Sequence, residues 1–104
     1  MRGDVFRLNA PRHVPGHEQA VRRYAVVVQA DELDSLSTWL VAPTSTSARP
    51  ATFRPEIEID GRRTRVLAEQ ASAVDPNRLG ERVGHLELDE LRAVDAALRL
   101  VMSL

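Results

Sequence analysis

The four consecutive apolar residues Ala25-Val26-Val27-Val28 constrain this chain more than any other feature. The apolar stretch from Tyr24 to Gln29 is near-continuous and too short for an ordinary helix, which predicts a short buried β-strand. A segment of opposite character feeds it. Asn9 to Arg22 holds two prolines, one glycine and no sustained periodicity. That predicts a long loop, and loops of this length in a compact domain tend to be functional. Within it, Gly16-His17-Glu18-Gln19 followed by Arg22-Arg23 puts a histidine, a carboxylate and fixed cations at the entrance to the strand. Such a set suits proton transfer and the holding of an anion.

The 104 residues predict one domain, residues 1–104, with a single core. No apolar run approaches the roughly 18 residues that a membrane-spanning helix needs. The start Met1-Arg2-Gly3-Asp4 lacks the apolar segment of a secretory signal, so a cytoplasmic location is expected. Cysteine is absent, which excludes disulfides, cysteine–zinc sites and thiol nucleophiles. His13, His17 and His85 show no metal-ligand spacing, and no metal or other cofactor is expected. A net charge of −1 does not mark a general nucleic-acid binder, but the distribution is uneven. Up to Arg65 there are ten arginines against eight acids; beyond it, four against seven. Every basic residue is arginine, whose planar fork matches phosphate oxygens.

Along the chain, Val5 to Leu8 reads as a first strand and Tyr24 to Gln29 as a second. Asp31 to Ser35 reads as a turn, and Thr38 to Ala42 as a third strand ended by Pro43. Thr44 to Pro50 reads as a hydroxyl-rich loop. Glu56-Ile57-Glu58-Ile59 alternates acid with isoleucine, as a strand with one wet and one buried face does. Asp60-Gly61 is a hairpin signal, with Arg63 to Glu69 as the return strand. Asp75-Pro76-Asn77 predicts a short turn, and Val83 to Leu86 a last short strand. Leu91, Val94, Leu98 and Val101 recur at helical spacing within a helix predicted over Leu88 to Met102. The pattern predicts an α+β fold: a small, strongly bent β-barrel of five to seven short strands with a C-terminal helix.

The order Arg2-Gly3-Asp4-Val5-Phe6, Gly16-His17-Glu18-Gln19, then Arg23 before a valine-rich strand resembles the MazF/PemK/Kid toxins of toxin–antitoxin pairs. Val41-Ala42-Pro43-Thr44-Ser45, Ala68-Glu69-Gln70 and the terminal helix extend the likeness over nearly the whole chain. The resemblance implies an SH3-like barrel that forms a homodimer and cuts single-stranded RNA at short sequences without a metal. The RNA's own 2′-hydroxyl would be the nucleophile, leaving a cyclic phosphate and a free 5′-hydroxyl, and a cognate antitoxin would block the groove. On this likeness the family's catalytic arginine is Arg23, followed here by Tyr24 rather than the usual proline. The catalytic hydroxyl is Ser45, with Thr44 and Thr46 as alternatives one residue away. The arginine of a late Arg-x-Asp pair found in some members is replaced by Leu67, with Glu69 at the acid.

RNA transesterification needs a proton taken from the 2′-hydroxyl, charge neutralised on the phosphorane and a proton given to the leaving oxygen. Arg23 suits the second task, since donors aimed at developing charge carry much of the rate. His17, Glu18 and Glu69 are the proton-transfer candidates; His17 titrates nearest neutrality and comes first. For RNA contacts the candidates are Arg12, Gln19, Thr46, Ser47, Arg49, Phe53, Glu69 and Gln70, with Phe53 the better stacking platform. Two other classes stay open: a non-enzymatic toxin on the same barrel that binds DNA gyrase, as the related CcdB proteins do, and an inactive homologue that only binds a partner.

Overall fold

The computed structural model describes residues 1–9 and 23–104; the predicted loop and the candidates Arg12, His17, Glu18 and Gln19 lie outside the described residues. Seven strands and one helix occur among the described residues: β1 (Asp4–Leu8), β2 (Tyr24–Val27), β3 (Trp39–Ser45), β4 (Glu56–Ile59), β5 (Arg62–Val66), β6 (Ser72–Val74), β7 (Leu79–His85) and α1 (Leu88–Met102). They form one antiparallel sheet in the order β4-β5-β3-β2-β1-β7, with β6 pairing to β3 beyond β5. The β1–β7 register shifts between Val5 and Phe6 and again before Leu8, irregularities that bend the pair. The bent sheet with its terminal helix is the predicted architecture.

β2 is apolar throughout because it is covered on both faces. Val26 and Val28, with Tyr24 at the margin, enter a core shared with Val5, Ala42, Ile57, Ile59 and Val66 and closed by Val94, Ala97 and Leu98 of α1. Ala25 and Val27 enter a second cluster on the other face with Val41, flanked by Phe6, Leu8, Trp39, Val74 and Leu79. The helix starts on a reciprocal capping box between Glu87 and Glu90. The other oxygen of Glu90 accepts from the Glu58 amide at 2.9 Å, which pins the helix start to the edge strand β4. Arg2 bonds both the Val28 carbonyl and Asp95, tying the chain start to the sheet and to α1. Of the predicted apolar stripe, Val101 is 39 % exposed; Ala97 takes the buried place one turn earlier.

Pro43 does not end β3, which runs on through Thr44 and Ser45. The Pro43 carbonyl accepts from the Leu67 amide at 2.8 Å. The missing N–H therefore lies on that outer edge of the strand, and the pairing with Ala25 of β2 loses nothing. The return strand is likewise shorter than predicted. β5 stops at Val66, and Ala68–Gln70 form a 3₁₀ turn that loops out of β3's edge before Ser72 rejoins it opposite Val41. β6 was not legible as a strand, being three residues of mixed polarity. At the Asp60-Gly61 hairpin both residues have positive φ (52° and 77°), the backbone such a two-residue turn requires.

Candidate active site

Arg23 leads into β2 as an exposed residue, and its carbonyl accepts from the Leu8 amide at 3.0 Å. β2 pairs with β3 through Ala25–Pro43, Val26–Ala42 and Val27–Val41. That pairing ends at Ala25–Pro43, so Arg23 and Ser45 each lie two residues beyond the last pair of their two strands. By alternation along the chain both fall on the side of the second cluster, away from α1, as Ala25, Val27 and Val41 do.

Across β3's other edge, Ser45 pairs directly with Arg65, and Arg65 pairs with Glu56. Ser45, Arg65 and Glu56 thus form a row over three strands, with Arg23 just before the start of β2. The Ser45 hydroxyl is half-buried, 3.3 Å from Ser47 Oγ, and accepts from the Ser47 amide at 3.3 Å. Those bonds hold the end of β3 and the start of the hydroxyl loop together. Thr44 sits one residue off this face: it is 2 % exposed, opposite Val66 on the α1 side. Thr44 therefore does not share a surface with Arg23, while Thr46, Ser47 and Arg49 are reachable around Ser45.

A second polar group adjoins the row. Arg65 Nη1 donates to the Arg54 carbonyl at 3.0 Å. The Arg54 guanidinium donates from Nε (3.0 Å) and Nη2 (2.6 Å) to Glu69 Oε2, and from Nη1 to the Arg49 carbonyl at 3.4 Å. It also lies 5.4 Å from the centre of the Phe53 ring, covering part of that stacking candidate. The hydrogen bonds from Arg54 hold the Glu69 carboxyl below the usual carboxylate range, against partial burial, which pushes the other way. Gln70 is exposed beside it.

Sequence reasoning passed over Arg54 and Arg65. The pairing of Glu56 with Arg65 follows by counting back from the Asp60-Gly61 turn, so a signal was available for one of them. Arg54 reaches Glu69 across 15 positions, and no local pattern announces that. At the far end of β4, a depression of about 280 Å³ lined by Glu58, Asp60, Gly61, His85, Glu87 and Glu90 is acidic and unsuited to a phosphate chain. No group of three or more potential metal-ligating side chains occurs among the described residues.

A bent antiparallel sheet with one terminal helix, carrying the Ser45–Arg65–Glu56 row on the face away from that helix, defines a small β-barrel protein. Residues 1–102 match the model of the PemK-like, MazF-like toxins of type II toxin–antitoxin systems, and the chain belongs to that family. It is 39% identical over 105 residues to a candidate toxin, Rv3098A, of Mycobacterium tuberculosis, covering 100% of this chain and 98% of that protein. It is 31% identical over 110 residues to the endoribonuclease EndoA of Bacillus subtilis, covering 99% and 94%. Among solved structures, an endoribonuclease in complex with its cognate antitoxin from a mycobacterial species superposes with a TM-score of 0.82 at 14% identity, covering 100% of this chain and 95% of that one. MazF of Deinococcus radiodurans gives 0.77 at 24% identity, covering 99% and 96%. These structures share the fold.

Proposed function

We infer that this chain is an endoribonuclease toxin that cuts single-stranded RNA and is neutralised by a cognate antitoxin. The observation that supports the reading is the Ser45–Arg65 pair at the end of β3, with Arg23 immediately before β2, the strand on the other side of β3. The Arg23 guanidinium takes the non-bridging oxygens of the scissile phosphate and stabilises the charge that grows there as the phosphorane forms. The Ser45 hydroxyl donates to the same group, and Arg65 holds the neighbouring backbone. Thr44, buried on the other face, has no part.

In the reaction a base removes the 2′-hydroxyl proton and the 2′-oxygen bonds to phosphorus. The bond from phosphorus to the 5′-oxygen then breaks, and that oxygen takes a proton, leaving a cyclic phosphate and a 5′-hydroxyl. His17 is the base and Glu18 its neighbour in the transfer. The bonds from Arg54 lower the pKa of Glu69, which makes its carboxylate a poor proton acceptor beside His17. No residue in this scheme calls for a metal. A cytoplasmic homodimer is the expected form; among the described residues, no helix is long and apolar enough to cross a membrane.

The test incubates purified protein with a long mixed-sequence RNA in EDTA, beside an Arg23→Ala control. Cleavage giving 5′-hydroxyl ends, lost in the control, supports the reading. Intact RNA with wild-type protein would turn the choice to a gyrase-binding or inactive homologue.

A further inference from the structure

Arg7 pairs directly with Tyr24 across β1 and β2, and the amide of the next residue, Leu8, donates to the Arg23 carbonyl at 3.0 Å. On the other side of β1 the pairing is bulged. Between the pairs Phe6–Arg82 and Leu8–Leu79, the two β7 residues Gly80 and Glu81 stand against the one residue Arg7. The bulge serves Arg7 twice. A Cβ at position 80 would lie 3.3 Å from Arg7 Cβ and 3.4 Å from the Arg7 carbonyl, so glycine there leaves Arg7 its room. Glu81 Oε1 lies 3.5 Å from Arg7 Nε and steadies the guanidinium. The guanidinium carbon then sits 5.9 Å from the centre of the Tyr24 ring, within cation–π range.

We propose that Arg7 is a positioning residue for Arg23: stacked on Tyr24 and steadied by Glu81, it fixes the start of β2 and so the guanidinium that meets the scissile phosphate. The proposal rests on the endoribonuclease reading above. Tyr24 is the residue after Arg23, so any fraying of β2 at Tyr24 moves Arg23 directly. The Leu8–Arg23 bond lies at the end of the β1–β2 ladder, where strands open first. A stack on the neighbouring residue opposes that opening. Arg7 acts through Tyr24 rather than on the RNA. As direct partners, Arg7 and Tyr24 share a face. Tyr24 flanks the core on the α1 side, whereas Arg23 falls on the other side by alternation.

The experiment measures RNA cleavage kinetics and hydrogen exchange of the Leu8 amide. It compares wild type, Arg7→Leu, Arg7→Lys, Tyr24→Leu, Tyr24→Phe and the double variant Arg7→Leu with Tyr24→Leu. Arg7→Leu and Tyr24→Leu are each expected to lower kcat about two- to fivefold, with KM within about twofold of wild type. Leu8 exchange should quicken by a similar factor, while the Val26 amide in the middle of β2 keeps its rate. Tyr24→Phe keeps the ring and wild-type values, and Arg7→Lys, which keeps the cation, recovers most of both readouts. The double variant is no worse than either single one, because each removes the same interaction. A raised KM at unchanged kcat in Arg7→Leu would make Arg7 an RNA contact and overturn the proposal. Losses that multiply in the double variant, an unchanged Leu8 exchange rate, or an equal quickening at Val26 would also overturn it. Failure of wild type to cut any RNA is a separate result: it overturns the endoribonuclease reading, while Leu8 exchange in Arg7→Leu still decides whether Arg7 holds this end of the strand.

Discussion

Ser45 and Arg65 are direct partners across β3 and β5, and Arg65 donates in turn to the carbonyl of Arg54, whose guanidinium holds Glu69. Ser45 is the last residue of its strand, so its hydroxyl has the alignment of sheet structure and the access of a loop. On the reading proposed above, the scissile phosphate meets the Ser45 hydroxyl together with the Arg23 guanidinium.

Removing that hydroxyl is predicted to act on rate rather than on folding. Ser45→Ala is expected to lower RNA cleavage about 10- to 100-fold with a melting temperature close to wild type. Thr44→Val, which keeps the shape of a buried side chain on the other face, is expected to keep cleavage within a few-fold of wild type. Initial rates and thermal melts of both variants check this. A larger loss of rate in Thr44→Val than in Ser45→Ala would shift the reacting hydroxyl by one residue.

Arg65 is expected to serve the RNA backbone electrostatically. In Arg65→Ala, binding of a non-cleavable single-stranded RNA should weaken and its salt dependence should become shallower. One lost phosphate contact reduces the slope of log affinity against log salt by about 0.7. Titrations at several salt concentrations measure it, and an unchanged slope would remove Arg65 from the RNA path.

Asp4 ties the opposite end of the sheet together. Its carboxylate is 5 % exposed and meets His85 Nδ1 at 2.8 Å, Arg82 Nε at 3.0 Å and the chain's amino terminus at 3.6 Å. Burial alone would raise its pKa, but the bonds from His85 and Arg82 and the nearby positive charges hold it below 3.8. A carboxyl lowered by folding contributes stability that is present above its unfolded pKa and disappears as pH falls through the lower folded value. The melting temperature should therefore fall with acidity below about pH 4, and Asp4→Asn should flatten that limb. At pH 7 the same substitution should cost about 1–3 kcal/mol, from the loss of a buried charged acceptor.

Sequence and structure agree most closely where the signal is local. The helix from Leu88 to Met102 has a cap and a 3.6-residue period in its own residues, and the hairpin at Asp60-Gly61 is written in two residues that adopt positive φ. The run at Ala25–Val28 announced a buried strand for the same reason. The misreadings come from long-range pairing. Pro43 looked like a strand end because its lost N–H was counted without knowing which edge it faced. Glu69 looked like strand because the looping-out of Ala68–Gln70 depends on where β3 re-forms its pairing with Ser72. Arg23 and Ser45 enter as candidates through a family likeness, whereas the Arg54–Glu69 ion pair has no such signal, since it exists only once the loop before β4 packs beside the 3₁₀ turn.

The most direct measurement is a crystal structure with a short RNA carrying a 2′-deoxy substitution at the cut site, which blocks the attack and leaves the phosphate in place. The expected result is a scissile phosphate within hydrogen-bond distance of both the Arg23 guanidinium and Ser45 Oγ, with the backbone continuing past Arg65. A phosphate bound elsewhere, with Arg23 and Ser45 touching no part of the RNA, would contradict the assignment of this row as the cleavage site.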